Sequence, residues 1–281
     1  MKFNSSAAEI FIPDGEKQEK AFSRTTDLCI AAHQDDIEIM AFGPTVKCYG
    51  QSDKWFAGVV VTDGAGSPRS GVYEQYTDEQ MKQVRVIEQK NAASIGGYSA
   101  QFFLGYKSSE VKDGNNLKTV EDIAAIIREC RPDFVYTHNL ADKHDTHVAV
   151  ALRTIAAIRS LPAEYQPQKV YSLEVWRGLD WLCDEDKVCF DTSSHPNLAA
   201  ALLGVYDSQI AGGKRYDSAA IGRRLANATF FASHDTDDYE SLSYGLDITD
   251  LVNSDKDSFS FINLYIDRMR DEVRDRIRRF E

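Results

Sequence analysis

The stretch that decides the fold is residues 28–38, LCIAAHQDDIE, in which a short apolar run leads directly into a histidine and two aspartates. A continuous apolar run bounded by polar residues is typical of a strand that is buried on both faces of a sheet. The polar residues that follow it predict a ligand-binding loop at the carboxyl end of the strand. A helix is predicted over 38–49, shortened or kinked at Pro44.

Strand and helix signals alternate from this segment up to residue 160. Further strands are predicted over 56–64, 100–106 and 133–138. Helices are predicted between Thr77 and Gly96, over 120–130 with Thr119 as the N-cap, and over 147–159. This alternation predicts right-handed crossovers and a Rossmann-like α/β fold, with a mainly parallel sheet and helices on both faces.

The C-terminal part has mixed signals and no linker that would divide the chain. It is predicted to contain strands over 169–176 and 187–193, helices over 197–209 and 216–232, a loop over 233–257 and a helix over 258–280. We therefore expect one domain over 1–281, with 165–281 as its C-terminal extension. The last helix carries an apolar stripe from Ile262 to Phe280, which either packs on the parent domain, frays as a charged tail or makes a homo-oligomer contact.

The composition excludes several classes of protein. Asp and Glu outnumber Lys and Arg by 44 to 32, giving a net charge of −12, which disfavours nucleic acid and anionic membrane surfaces as partners. The five cysteines are scattered and form no CxxC pair, which indicates a reducing compartment and no thiolate zinc site. Without a signal sequence or a long apolar window, the chain is predicted to be cytoplasmic, with no membrane partner.

Histidines and aspartates cluster at the predicted strand ends. His33, Asp35 and Asp36 follow the first strand, and the strand over 133–138 ends in His138 and leads into 142–147, DKHDTH. Because ligands bind at the carboxyl ends of parallel strands, these residues are expected to meet. Each cluster taken alone is also explained by helix capping, but capping does not explain why both lie at strand ends of one sheet.

The residue types fit a catalytic zinc site, which uses three His, Asp or Glu ligands and leaves one position open. His33, Asp36 and one later histidine would supply the ligands. His144 and His147 are three residues apart, so both can face one site from a first helical turn. Neighbouring side chains diverge, so one of the aspartates can bind metal while the other acts as a general base.

Several motifs together resemble those of the PIG-L/LmbE-like zinc N-deacetylases, which remove acetyl groups from N-acetylglucosamine-type substrates. HQDDIE at 33–38 is similar to the HPDDE motif of that family. VVVTDGAGS resembles its strand and TxGxxG loop, RVIEQKNAASIGG resembles its RxxExxxAAxxLG helix, and HDTH resembles its HxDH motif. The resemblance covers about residues 25–160 in the correct order, with Gln34 and Thr146 as the departures.

The resemblance implies one Zn²⁺ per chain, held by His33, Asp36 and His147. It further implies that Asp35 is the general base and that His144 stabilises the oxyanion and protonates the leaving amine. Because Thr146 replaces the usual orienting aspartate, we expect Asp142, or a carboxylate from elsewhere in the chain, to support His144.

The resemblance also suggests which residues contact the amino-sugar substrate. Arg69 is a candidate because the family often carries an arginine in this loop, and His138 and Asp142 are expected to line the site. Two other functions stay open at this point. One is a metal-dependent phosphoesterase that uses the same side chains, and the other is a sugar-binding protein with a degenerate site.

Overall fold

The computed structural model describes residues 1–281 and contains one eight-stranded sheet. The strands are β1 (Glu9–Phe11), β2 (Asp27–Ala31), β3 (Phe56–Thr62), β4 (Ala100–Tyr106), β5 (Phe134–His138), β6 (Lys169–Leu173), β7 (Val188–Asp191) and β8 (Leu242–Asp247). The helices are α1 (Gln18–Ser23), α2 (Asp36–Met40), α3 (Phe42–Cys48), α4 (Asp78–Ile95), α5 (Ser108–Lys112), α6 (Lys118–Cys130), α7 (Asp145–Arg159), α8 (Pro196–Gly204), α9 (Asp207–Ile210), α10 (Tyr216–Phe230), α11 (Thr249–Val252) and α12 (Ser258–Arg278).

The strand order is β1-β4-β3-β2-β5-β6-β8-β7, and the five central strands from β4 to β6 are parallel. The antiparallel strands β1, β8 and β7 extend the two edges. The chain runs outward from β2 through β3 to β4 and then returns to β5 on the other side of β2. This reversal makes the carboxyl ends of β2 and β5 the switch point at which such sheets bind ligands.

Helices cover both faces of the sheet, as the sequence predicts. Along β2, Leu28 and Ile30 belong to the large cluster that includes α6 and α7. Cys29 and Ala31 belong to the opposite cluster, which includes α2 and part of α4. Successive strand residues point to opposite faces, so every residue of β2 is buried. The predicted mainly parallel α/β fold is confirmed.

Two predicted helices in the first half differ in detail. The helix expected over 38–49 is divided into α2 and α3 at Ala41, and Pro44 lies in the first turn of α3, where its missing N–H costs no bond. Thr77 caps α4 with Gln80 in a reciprocal capping box, as expected. Thr119, however, does not cap α6, because the helix already begins at Lys118 and Thr119 is buried within it.

The predicted loop over 233–257 is wrong, because it contains β8 and α11. In β8, Leu242, Tyr244 and Leu246 alternate with polar or small residues and enter the large core cluster. The strand inserts between β6 and β7, so the C-terminal part of the chain completes the same sheet. The elements β1 and α1 were not predicted from the sequence.

The last helix packs on the domain at one end only. Phe261 and Ile262 are buried, whereas Val273, Ile277 and Phe280 are 44%, 55% and 81% exposed. A homo-oligomer contact along this stripe stays a prediction. None of the helices has the length and apolar character needed to span a membrane.

Candidate metal centre and active site

The ends of β2, β3 and β5 are joined by hydrogen bonds around Ala32. Its carbonyl oxygen accepts from the backbone N–H and the hydroxyl of Thr62, at 2.9 and 2.7 Å. Its own N–H donates to Nε2 of His138, at 2.8 Å. These bonds fix the backbone immediately before His33, so the loop that carries the polar residues starts from a rigid point.

The structure brings the three predicted metal ligands together. Nδ1 of His33 lies 3.1 Å from Oδ2 of Asp36 and 3.2 Å from Nε2 of His147. Nε2 of His147 lies 3.3 Å from the same carboxylate oxygen. Ligand atoms about 2 Å from a tetrahedral zinc ion are about 3.3 Å apart, so this triangle fits zinc in both spacing and ligand type.

Asp36 and His147 stabilise each other's charge. Burial by itself would raise the pKa of Asp36, but contacts with His147 and His33 hold that pKa well below its usual value. Burial would likewise lower the pKa of His147, but Asp36 and Asp142 raise it to about 10. His147 is therefore protonated at neutral pH, and a metal ion has to displace that proton.

Asp142 supports His147 rather than the ring of His144. Its Oδ2 lies 3.5 Å from Nδ1 of His147 and accepts from the backbone N–H of Trp176 at 3.1 Å. Its Oδ1 accepts from the backbone N–H of His144 at 3.0 Å. The expectation that Asp142 orients the imidazole of His144 is wrong, because the carboxylate reaches only the main chain of that residue.

Three imidazoles and an indole form a stacked column at this edge of the sheet. The ring centroid of His147 is 4.0 Å from that of His138 and 4.5 Å from that of His144. Trp176 follows His144 at 6.1 Å. Partial burial and the nearby charges of His147 and His33 lower the pKa of His144. The charges of Asp36 and Asp142 raise this pKa, but burial and the two histidines outweigh them.

Asp35 is held in an unusual conformation beside the metal ligands. Its φ angle is +98°, which is uncommon for a residue with a side chain and marks local strain. Its N–H donates to Oε1 of Gln89, and its Oδ2 accepts from Nη2 of Arg85 at 3.0 Å. Burial raises the pKa of Asp35 to about 6, and the charge of Arg85 opposes that rise. This value suits a base that works near neutral pH.

Beneath Asp35, a fully buried polar network connects the two halves of the chain. Oε1 of Glu38 accepts from Gln89 at 2.9 Å and from the Tyr98 hydroxyl at 2.8 Å. Its Oε2 lies 2.5 Å from the hydroxyl of Tyr206, which is also 2.9 Å from Oε1 of Gln89. Burial raises the pKa of Glu38 to about 7. No role was assigned to these residues from the sequence, although Arg85 and Gln89 lie in the quoted helix motif.

The three predicted substrate-contacting residues lie away from the open part of the site. His138 is 0% exposed and lies behind His147, and Asp142 is also buried. The guanidinium of Arg69 binds the carbonyl oxygen of Ala65 and the carboxylate of Asp78. None of the three lies on the wall of the adjacent cavity, so substrate contact by these residues stays a prediction without support from their positions.

A cavity of about 690 Å³ opens next to the predicted metal ligands. His33, Asp35, Asp36 and His144 line it. Other lining residues were not assigned to the site from the sequence, and several come from the C-terminal part of the chain. The charged or polar ones include Arg85, Lys112, Lys143, Gln209, Lys214, Tyr216 and Arg223. Trp176 and Thr146 also line this cavity.

Comparison with known proteins agrees with this geometry. The family model described as PIG-L, GlcNAc-PI de-N-acetylase, matches residues 28–158. The match covers a little less than half of the chain. This PIG-L segment runs from β2 to α7 and contains the predicted ligands His33, Asp36 and His147 together with Asp35 and His144.

One curated relative is the uncharacterized deacetylase YaiS of Escherichia coli K12. It is 28% identical over 139 residues, which are 48% of this chain and 69% of the relative. An N,N'-diacetylchitobiose deacetylase from Pyrococcus horikoshii has a similar fold, with a TM-score of 0.65 at 15% identity over 87% of this chain and 91% of that chain. So does a 4-carboxy-2-hydroxymuconate hydratase from Pseudomonas putida KT2440, with a TM-score of 0.57 at 18% identity over 80% and 95% of the two chains. The fold alone therefore does not identify the reaction.

We expect Glu38→Ala to lower the free energy of unfolding by about 3 kcal/mol or more, because three buried donors lose their acceptor. Glu38→Gln should cost about 1 kcal/mol or less at pH 6, because the amide mimics the protonated acid and the Tyr206 hydroxyl can donate to Gln89 instead. Urea unfolding of both variants checks this. Equal losses of unfolding free energy for Glu38→Ala and Glu38→Gln would contradict the stabilising role of these hydrogen bonds.

The Glu38 comparison also has a defined pH dependence. The pKa of Glu38 is higher in the folded state than in the unfolded chain, so the folded state binds the proton more tightly. The resulting stabilisation is fully present below the pKa of the unfolded chain and is lost as the pH rises through about 7. Relative to wild type, Glu38→Gln should therefore gain about 1 kcal/mol between pH 6 and pH 8.5. A difference that is constant with pH would show that Glu38 is ionised throughout this range.

We expect zinc binding to release about one proton from the protein at pH 6, because His147 must lose the proton held by its raised pKa. Calorimetric titration in buffers of different ionisation enthalpy measures this number directly. The apparent affinity should rise with pH below about 10. A binding enthalpy that is independent of the buffer would contradict the assigned state of His147.

Proposed function

We propose that the protein is a zinc-dependent hydrolase that removes the N-acetyl group from an N-acetylglucosamine-type sugar or its conjugate. The PIG-L segment and the deacetylase relatives support an amide hydrolase. The observation that carries the proposal is the arrangement of two adjacent aspartates with different surroundings. Asp36 lies among imidazoles, whereas Asp35 lines the cavity with a raised pKa.

In this proposal, His33, Asp36 and His147 hold the zinc ion. Bound there, zinc supplies a Lewis acid that polarises a carbonyl group and acidifies water. The remaining chemistry belongs to the chain's own groups. Asp35 accepts a proton from the attacking water, and the cavity positions the acetamide against it.

His144 is the group that donates to the substrate in this proposal. Its ring lies between His147 and Trp176, and His144 forms part of the cavity wall. A protonated imidazole at this position stabilises the developing oxyanion and then protonates the departing amine. Because burial lowers the pKa of His144, its imidazole is mostly neutral at pH 7, and the proton that Asp35 accepts from the attacking water is a second source for the departing amine.

Arg85 acts through Asp35 as a positioning residue. Its Nη2 contacts both the carboxylate of Asp35 and the carbonyl oxygen of Gln34, so one buried guanidinium holds the two residues that form the sharp turn before α2. Its side chain is 1% exposed, which fixes its direction. The strained φ of Asp35 is therefore maintained by a charged contact from α4.

Asp35→Asn should retain zinc and lose about 10²–10⁴-fold in kcat, because an amide cannot accept the proton of the attacking water. Zinc content and amine release from a panel of N-acetylglucosamine conjugates measure the two properties. The matched control is Asp63→Asn, since Asp63 follows the neighbouring strand but pairs with Lys82 outside the cavity. Near-native turnover by zinc-loaded Asp35→Asn would assign the base to another residue.

The same panel separates the alternative functions. A zinc-loaded wild-type enzyme that releases no amine but hydrolyses phosphoesters would support the phosphoesterase alternative. A protein that binds the sugars and turns over none of them would support a degenerate sugar-binding site. Either result would overturn the proposed deacetylase activity.

Arg85→Gln should lower kcat about tenfold or more and move the acidic limb of the pH–rate profile to higher pH. The direction follows because Arg85 lowers the pKa of Asp35, so its loss raises that pKa and leaves less base at a given pH. Arg85→Lys, which keeps the charge but not the forked contact, should move the limb less. A fall in activity without any change in the pH profile would indicate a purely structural role, which thermal unfolding would reveal.

A further inference from the structure

Four cationic side chains on the cavity wall have no carboxylate partner. They are Lys112, Lys143, Lys214 and Arg223. Lysines elsewhere in the chain do pair with acids, as Lys47 does with Asp27 and Lys82 with Asp63. The only acidic residues that line the cavity are Asp35 and Asp36, and both are engaged in the metal site.

This concentration of positive charge is unexpected in a chain with a net charge of −12. Like charges grouped in a concave site repel one another, and a cleft focuses their field toward its interior. Such an arrangement is complementary to a ligand that brings negative charge into the cleft. We therefore expect these positive charges to bind a negatively charged substrate rather than to stabilise the fold.

Two of the four cations lie beside Trp176. The amino group of Lys214 lies 5.1 Å from the centroid of the indole, and that of Lys143 lies 6.0 Å from it. The indole also packs against the rings of His144, at 6.1 Å, and Tyr216, at 6.2 Å. The two ammonium groups are thus one aromatic ring away from the histidine that faces the reacting group.

We propose that the substrate carries an anionic oxygen group, a phosphate or a carboxylate, which Lys143 and Lys214 bind beside Trp176. This inference rests on the proposed function, because it places the acetamide at the proposed metal ligands and the anion on a neighbouring carbon of the sugar ring. Lys112 and Arg223 add to the positive field of the same cavity. The alternative without a role in substrate binding is that the two lysines only cover the indole with their methylene chains while the ammonium groups stay in water.

The proposed anion site is tested by comparing kcat/KM for anionic and neutral substrates. The kcat/KM values for N-acetylglucosamine 1-phosphate and for the carboxylate-bearing N-acetylmuramic acid are each divided by the value for neutral methyl N-acetylglucosaminide. Both ratios, or one of them, should exceed one in the wild type, and comparing them distinguishes a phosphate site from a carboxylate site. Lys214→Gln and Lys143→Gln should each reduce the larger ratio about three- to tenfold.

Lys54→Gln is the matched control, because Lys54 is exposed and lies outside the cavity, so the variant loses the same charge elsewhere. Its ratio should equal that of the wild type, and raising the ionic strength should reduce the wild-type ratio. Ratios at or below one for both anions would overturn the proposal. So would equal ratios for the wild type and the two cavity variants.

Binding measured without turnover separates this inference from the proposed function. Zinc-loaded Asp35→Asn should bind N-acetylglucosamine 1-phosphate or N-acetylmuramic acid more tightly than the neutral glycoside, and adding Lys214→Gln should remove most of that preference. If the preference is present but the wild type releases no amine, the deacetylase proposal fails while the anion site stands. If amine is released but neither anion is preferred, the anion site fails alone.

Discussion

The rest of the site depends on the burial of the Asp36 carboxylate among imidazole rings. A charged carboxylate away from water is costly unless it is paired and hydrogen-bonded. Asp36 meets this requirement through the main chain and ring of His33 and the ring of His147. The ends of β2 and α7 must therefore stay in register, and the hydrogen bonds around Ala32 maintain that register from below.

The C-terminal part of the chain completes the candidate site, whose proposed catalytic residues lie in the PIG-L segment. Tyr206 bonds to Glu38 across 168 positions of sequence, and Arg224 donates to the carbonyl oxygen of the same residue. Ser208 donates through both its N–H and its hydroxyl to Glu88. These contacts hold α2 and α4 against the region that supplies Trp176 and Lys214 to the cavity. Since similar folds occur in a deacetylase and in a hydratase, differences among such contributed side chains offer a physical route to different reactions on one scaffold.

The sequence was informative where a local pattern determines the geometry. The apolar run of β2 and the i, i+3 spacing of His144 and His147 were sufficient to place these residues at one edge of a parallel sheet. Side-chain direction within loops was not predictable, which is why Asp142 was paired with the wrong histidine. Burial of Arg85 and Glu38 was also hidden, because their partners are far away in sequence. The strand β8 was missed because an acidic, turn-rich context concealed a short alternation of Leu242, Tyr244 and Leu246.

The central proposal is that His33, Asp36 and His147 form one zinc site. Anomalous diffraction at the zinc absorption edge from zinc-loaded crystals tests it most directly. The account predicts a single strong peak about 2 Å from a ring nitrogen of each histidine and from a carboxylate oxygen of Asp36, with Asp35 outside the ligand set. A peak bound through Asp35 or His144 in place of these ligands, or no peak at this edge of the sheet, would contradict the account.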